Sequence, residues 1–160
     1  MRRGGLLMAA AVAVLALLQG CAAPRTGATT IADFTTDGCS LFPDRAPGGG
    51  KDWCRCCAEH DLAYWRGGTQ QQRAQADEAL RACVRERADS PALATMMLLG
   101  VRAGGGPQWP TSFRWGYGWD YGRFFTPLTE VEAEQAAQKE QSFRVRFPDL
   151  ECPAAEAERR

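Results

Sequence analysis

Hydrophobic and polar residues alternate along this chain in three different rhythms. Leu6 to Leu18 is an unbroken apolar run behind Arg2 and Arg3. Thirteen residues are too few to span a bilayer comfortably but suit the core of a signal peptide. Residues 22–33 are small and polar and read as a tether, and Asp37 to Gly50, with its Gly and Pro, reads as a loop. From Asp52 to Arg66 the residue choice is helical, and Gly67-Gly68 stops it. Thr69 with Gln72 has capping-box spacing and opens a second helix reaching about Ala88. The connection of about three residues favours antiparallel neighbours. Ser90-Pro91 opens a third, strongly apolar helix over 91–102. Phe113, Trp115, Tyr117, Trp119 and Tyr121 then alternate with Arg, Gly and Asp, a period of two that predicts a strand or twisted ribbon with one aromatic face. Thr126-Pro127 opens a last helix with Glu130, Glu132 and Glu134 in its early turns, most simply a solvated face. The expectation is a mainly α domain over 34–160, with a helix pair and a small β or aromatic ribbon.

Leu18-Gln19-Gly20-Cys21 resembles a bacterial lipobox, which implies a lipoprotein signal peptide over 1–20, lipidation at Cys21, and a tether over 21–33. Ala22 implies outer-membrane sorting. The chain beyond Cys21 has 139 residues, enough for one domain with a modest core. Without Arg2 and Arg3 it carries 17 basic against 19 acidic residues and has no basic stripe, so nucleic acid is not an expected partner. Seven cysteines less Cys21 leave Cys39, Cys54, Cys56, Cys57, Cys83 and Cys152. An even six in an exported domain predicts three disulfides, among fifteen connectivities.

The chemistry concentrates in Cys56-Cys57-Ala58-Glu59-His60-Asp61-Leu62-Ala63-Tyr64, which holds the only histidine of the chain. On a helix, Cys56, His60 and Tyr64 share one stripe; Cys57, Asp61 and Trp65 share the next. If the second helix packs antiparallel, Cys83 lies near Cys56, and Asp77 comes to one side of His60, within its reach. An aspartate on one imidazole nitrogen fixes the tautomer and leaves the other nitrogen to take a proton from water. Tyr64 is placed to donate to that aspartate. Glu78 competes with Asp77 for the role. On the other stripe, Asp61 faces a loop whose carboxylates and carbonyls are hard oxygen donors suited to Ca²⁺. Blander readings stand beside these: a structural histidine, an Asp61 that merely caps or pairs, or a zinc site of Cys54, Cys56, Cys57 and His60.

The run CCAEHDLAY resembles the Cys-Cys-x-x-His-Asp-x-x-Tyr signature of secreted phospholipase A2. Asp77 followed by Cys83 is similar to that family's later Asp-x5-Cys, and DGCSLFPD is similar to the calcium loop of its bacterial and fungal branch. The resemblance implies His60 as general base, Asp77 as its partner, Tyr64 as support, and Asp61 with Asp37, the Gly38 carbonyl and Ser40 as calcium ligands. It also implies disulfides Cys39–Cys57 and Cys56–Cys83, leaving Cys54–Cys152. The expected activity is calcium-dependent hydrolysis of a phospholipid ester by a monomer at a membrane surface of the cell envelope. The alternative is a non-catalytic lipid- or protein-binding lipoprotein on the same scaffold. The match spans roughly 37–84. Ala63 stands where many animal members have cysteine, and nothing after Val84 resembles the family.

Overall fold

A computed structural model describes residues 30–48 and 50–152. The expected signal peptide over 1–20 and the expected lipidation at Cys21 therefore lie outside the described residues. The fold is mainly helical: α1 (Cys54–Arg66), α2 (Gln70–Ala88), α3 (Pro91–Gly104) and α4 (Glu130–Arg146). Three disulfides link Cys39 to Cys57, Cys54 to Cys152 and Cys56 to Cys83. With Cys54, Cys56 and Cys57 all oxidised, the zinc reading loses its thiolates. Among the described residues, no helix is long and apolar enough to cross a membrane.

Local chemistry accounts for the helix ends. The Thr69 hydroxyl accepts from the Gln72 amide while the Gln72 side chain accepts from the Thr69 amide, completing the expected capping box. Ser90 caps α3 through the Leu93 amide, with Pro91 at its first position. Two starts differ from the sequence expectation. α1 begins at Cys54 because the Asp52 carboxylate stands outside the helix and accepts the Cys54 amide. α4 begins at Glu130: the Thr126 hydroxyl is committed to the Arg123 carbonyl, and Thr129 with Glu132 forms the capping box.

α1 is wrapped on nearly every side. Ala58, Leu62 and Trp65 pack with Phe34, Ala136 and Phe143 in one core, while Cys56 and Cys57 pack with Leu80, Val84 and Met97 in the other. Pairings between α1 and α2 run in reverse order, Cys56 with Cys83, His60 with Asp77 and Tyr64 with Arg73, so the two helices are antiparallel. α4 lies against the opposite side of α1 through Arg144–Glu59 and Arg66–Glu140 ion pairs. Ile31, placed above in the tether, is 1% exposed and belongs to the first core, so packed structure starts before residue 34. Apolar contact, rather than polarity, decides membership there.

The expected aromatic ribbon is not a strand. Among the described residues the only extended pairing is an isolated bridge between Arg45 and Asp52. Residues 113–121 form successive turns around the C-terminal end of α1. The amides of Gly116 and Gly118 donate to the Tyr64 and Trp65 carbonyls, and the Trp115 and Trp119 indoles donate to the carbonyls of Gly68 and Arg66. The period of two came from glycines needed for close approach. A Cβ at Gly118 would lie 2.5 Å from the Trp65 ring, and Gly116 has φ +74°. Trp115 and Trp119 are buried, whereas Phe113 and Tyr121 are exposed, so the aromatics do not share one face.

Candidate functional site

The α1–α2 interface buries a polar cluster. Asp77 is 1% exposed, and its Oδ1 accepts from the Tyr64 hydroxyl at 2.7 Å and faces His60 Nε2 at 3.1 Å. A carboxylate this deep survives only with partners that offset its lost hydration. Arg102 Nε adds a third contact, 3.8 Å from Oδ2. Glu78, the competitor of Asp77, points away and pairs with Arg81 and Arg102. The His60 and Tyr64 rings lie 4.2 Å apart, so the histidine is held by a ring on one side and a carboxylate at its Nε2. Its Nδ1 is the nitrogen left for other chemistry. Burial and the neighbouring Asp77 push the Tyr64 phenol well above its ordinary range, which keeps it a hydroxyl donor.

Asp61 lines two neighbouring grooves, and His60 lines the first of them. One is an apolar cleft of about 680 Å³, counting its open mouth, whose walls include Phe42, His60, Leu80, Met97 and Val101. Leu41 at its rim is 88% exposed. The other groove is polar and is lined by Thr35, Thr36, Asp37, Asp61 and Tyr117. Phe113 borders both.

The loop side is anionic. The Cys39–Cys57 bridge holds the loop against α1. Thr36 donates its hydroxyl to Asp61 Oδ2 at 2.7 Å and accepts the Gly38 amide. Ser40, in the left-handed region at φ 51°, donates to Asp37, and Asp44 accepts the Cys39 amide. Burial and the charges of Asp37 and Asp44, opposed by the Thr36 hydrogen bond, push the Asp61 carboxyl up to about 7. Asp37 and Asp44 of the loop thus crowd Asp61 of α1, and among the described residues no basic side chain pairs with Asp61. Among the described residues no three His, Cys, Asp or Glu side chains converge as a metal cluster. The carboxylates of Asp61 and Asp37 and the loop carbonyls are hard oxygen donors, the kind that a cation such as calcium takes.

The structure thus brings His60, Asp77 and Tyr64 into one hydrogen-bonded unit, and sets the loop that carries Asp37, Gly38 and Ser40 against Asp61 of α1 beside it. Sequence reasoning missed Arg73, which donates to the Tyr64 hydroxyl, and Arg102; both sit on helices where arginine ordinarily reads as a solvated residue. Thr36, whose hydroxyl bridges Asp61 and the Gly38 amide, was also missed, for Thr35-Thr36 precedes the quoted loop motif. Compared with protein-family models, curated proteins and solved structures, the chain matches none.

Proposed function

We propose that the protein is a calcium-dependent, phospholipase A2-like hydrolase of phospholipid carboxylic esters, carried at the bacterial envelope as a lipid-anchored protein. The observation that carries this reading is the His60–Asp77–Tyr64 unit opening through His60 and Tyr64 onto an apolar cleft that Asp61 also lines, with Asp61 shared between that cleft and a polar groove. An apolar cleft suits an acyl chain, and an anionic oxygen-rich groove with a cation suits a phosphate.

In this scheme Asp77 accepts the Nε2 proton of His60 and holds the neutral tautomer with Nδ1 unprotonated. Nδ1 takes a proton from a water molecule as the water oxygen forms a bond to the ester carbonyl carbon. The carbon–alkoxide bond then breaks, and the imidazolium returns its proton to the departing alkoxide. The products are a fatty acid and a lysophospholipid. The buried Asp77 stabilises the transient imidazolium, and the Tyr64 hydroxyl keeps Asp77 aimed. Calcium, when bound by Asp61, Asp37 and the Gly38 carbonyl, with Ser40 beside them, supplies positive charge toward the oxyanion and the substrate phosphate. Exposed Leu41 and Phe113 at the cleft, with Met96 and Leu99 exposed on α3, offer apolar surface for contact with a membrane.

Fatty-acid release from phospholipid vesicles, in calcium or chelator, tests the reading. Loss of release in chelator and in His60→Gln supports it. A folded, disulfide-bonded protein that binds vesicles without releasing fatty acid points instead to a binding module.

A further inference from the structure

Resting on that reading, we propose that Arg73 is a positioning residue, which sets the direction of the Tyr64 hydroxyl and couples the wall of the apolar cleft to the His60–Asp77 pair. Arg73 lies in the first turn of α2, four residues before Asp77 along the same helix. Its Nε donates to the Tyr64 hydroxyl at 3.0 Å, and its Nη2 donates to the carbonyls of Val101 and Arg102, each at 3.0 Å. One guanidinium therefore joins three elements: the end of α1, the start of α2 and the end of α3. Val101 also lines the cleft, as do Gly104 and Gly105 beyond it. The packing at this corner is tight, since a Cβ at Gly105 would lie 2.5 Å from the Tyr64 ring.

The chemistry of the donors gives this contact a consequence. A tyrosine hydroxyl has one proton and can both donate and accept, whereas a guanidinium N–H can only donate. With Arg73 on the oxygen's acceptor side, the hydroxyl proton has to point elsewhere, and Asp77 Oδ1 is 2.7 Å away. The chain Arg73→Tyr64→Asp77 is thus oriented in one sense, and each bond in such a chain polarises the next. Asp77 Oδ1 is also the oxygen that meets His60. Without Arg73 the hydroxyl loses the donor that holds its acceptor side, and its bond to Asp77 Oδ1 weakens and loses its fixed direction. Lysine is not a substitute, because a single ammonium lacks the planar fork that serves a phenol and two carbonyls together.

A purely structural tie between α2 and α3 makes a different prediction, which the following comparison separates. Arg73→Met, Arg73→Lys, Tyr64→Phe and the Arg73→Met/Tyr64→Phe double variant are measured for kcat and KM on phospholipid vesicles. The single histidine is observed in parallel by nitrogen NMR, at one fixed pH for all variants. The positioning role predicts that Arg73→Met lowers kcat about 10- to 100-fold, the scale of losing an outer hydrogen-bond partner that orients a ligand at a metal site. It predicts little change in KM, little recovery in Arg73→Lys, and no further loss when the Met change is added to Tyr64→Phe. It also predicts that the wild-type His60 signal reports one Nε2–H tautomer and that Arg73→Met gives a mixture. A variant that melts earlier yet keeps kcat and the single tautomer would overturn the proposal, as would additive losses in the double variant. If the wild type releases no fatty acid, the phospholipase reading fails by itself, and the tautomer comparison still decides the role of Arg73.

Discussion

Asp61→Asn should make the calcium-free protein more stable and remove its response to calcium. The substitution keeps the shape of the side chain and lets the new amide oxygen go on accepting the Thr36 hydroxyl. What it removes is a charge that stands among Asp37 and Asp44 and has no basic partner among the described residues. A carboxyl raised from 3.8 to about 7 has its anion disfavoured by about 4 kcal/mol at pH above 7. Asp61 is only half-buried, so solvent screens part of this, and a gain of about 1–2 kcal/mol is expected. The direction with pH follows from the raised folded value. Between about 4 and 7 the folded wild type binds more protons than the unfolded chain, so this group costs stability as pH rises through that window. The gap between variant and wild type should therefore be widest above pH 7 and close toward pH 4. Calcium acts in the opposite sense: at 100 times its dissociation constant it should stabilise the wild type by about 2.7 kcal/mol and leave the variant unmoved. Thermal or denaturant unfolding in chelator and in calcium, from pH 4 to 8, measures both. An Asn variant that is less stable than wild type in chelator, or that keeps the calcium shift, would refute the argument.

Other substitutions probe the frame around the site. Tyr64→Phe leaves Asp77 buried with one hydrogen bond fewer, which should lower unfolding stability by about 1–3 kcal/mol and slow ester hydrolysis. Gly118→Ala would drive a Cβ into Trp65 and the Trp65 carbonyl, and a loss of more than about 2 kcal/mol in denaturant unfolding is expected. Glu132 is held near 2 by paired hydrogen bonds from Arg123, helped by Thr129. Its depressed value means that its contribution is present above about 4.5 and fades as pH falls toward 2. Amide protection factors at the start of α4, which divide out the intrinsic pH dependence of exchange, should fall through that window, and Glu132→Ala should lower them at neutral pH.

Much of the frame was legible because it rests on local chemistry. The caps at Thr69 and Ser90 lie next to the helices they start, and Gly67-Gly68 directly follows the end of α1. His60, Asp61 and Tyr64 stand within five residues, so helical spacing alone sorts them into stripes. Asp77 was reachable from the antiparallel pairing of α1 and α2, and the structure brings it to His60. The ribbon was misread because alternating glycine and aromatic residues serve two purposes. Glycines that give room for backbone approach leave the same pattern as the polar face of a strand, and only contact with Trp65 tells them apart. Arg73 and Arg102 were invisible for a different reason. Their partners lie across helix packing, on Tyr64, Asp77 and the α3 carbonyls, and no spacing within one segment encodes that. Ile31 shows the same limit, since its polar neighbours mask a side chain that closes a core built from α1 and α4.

The account stands on His60 as the base of a calcium-assisted ester hydrolysis. The most direct test is titration of free fatty acid released from phospholipid vesicles by the purified, disulfide-bonded protein and by His60→Gln, each in calcium and in chelator. The account predicts steady release by the wild type in calcium alone, and a loss of about 100-fold or more in the variant. Equal release by both proteins, or release that chelator leaves unchanged, would contradict it.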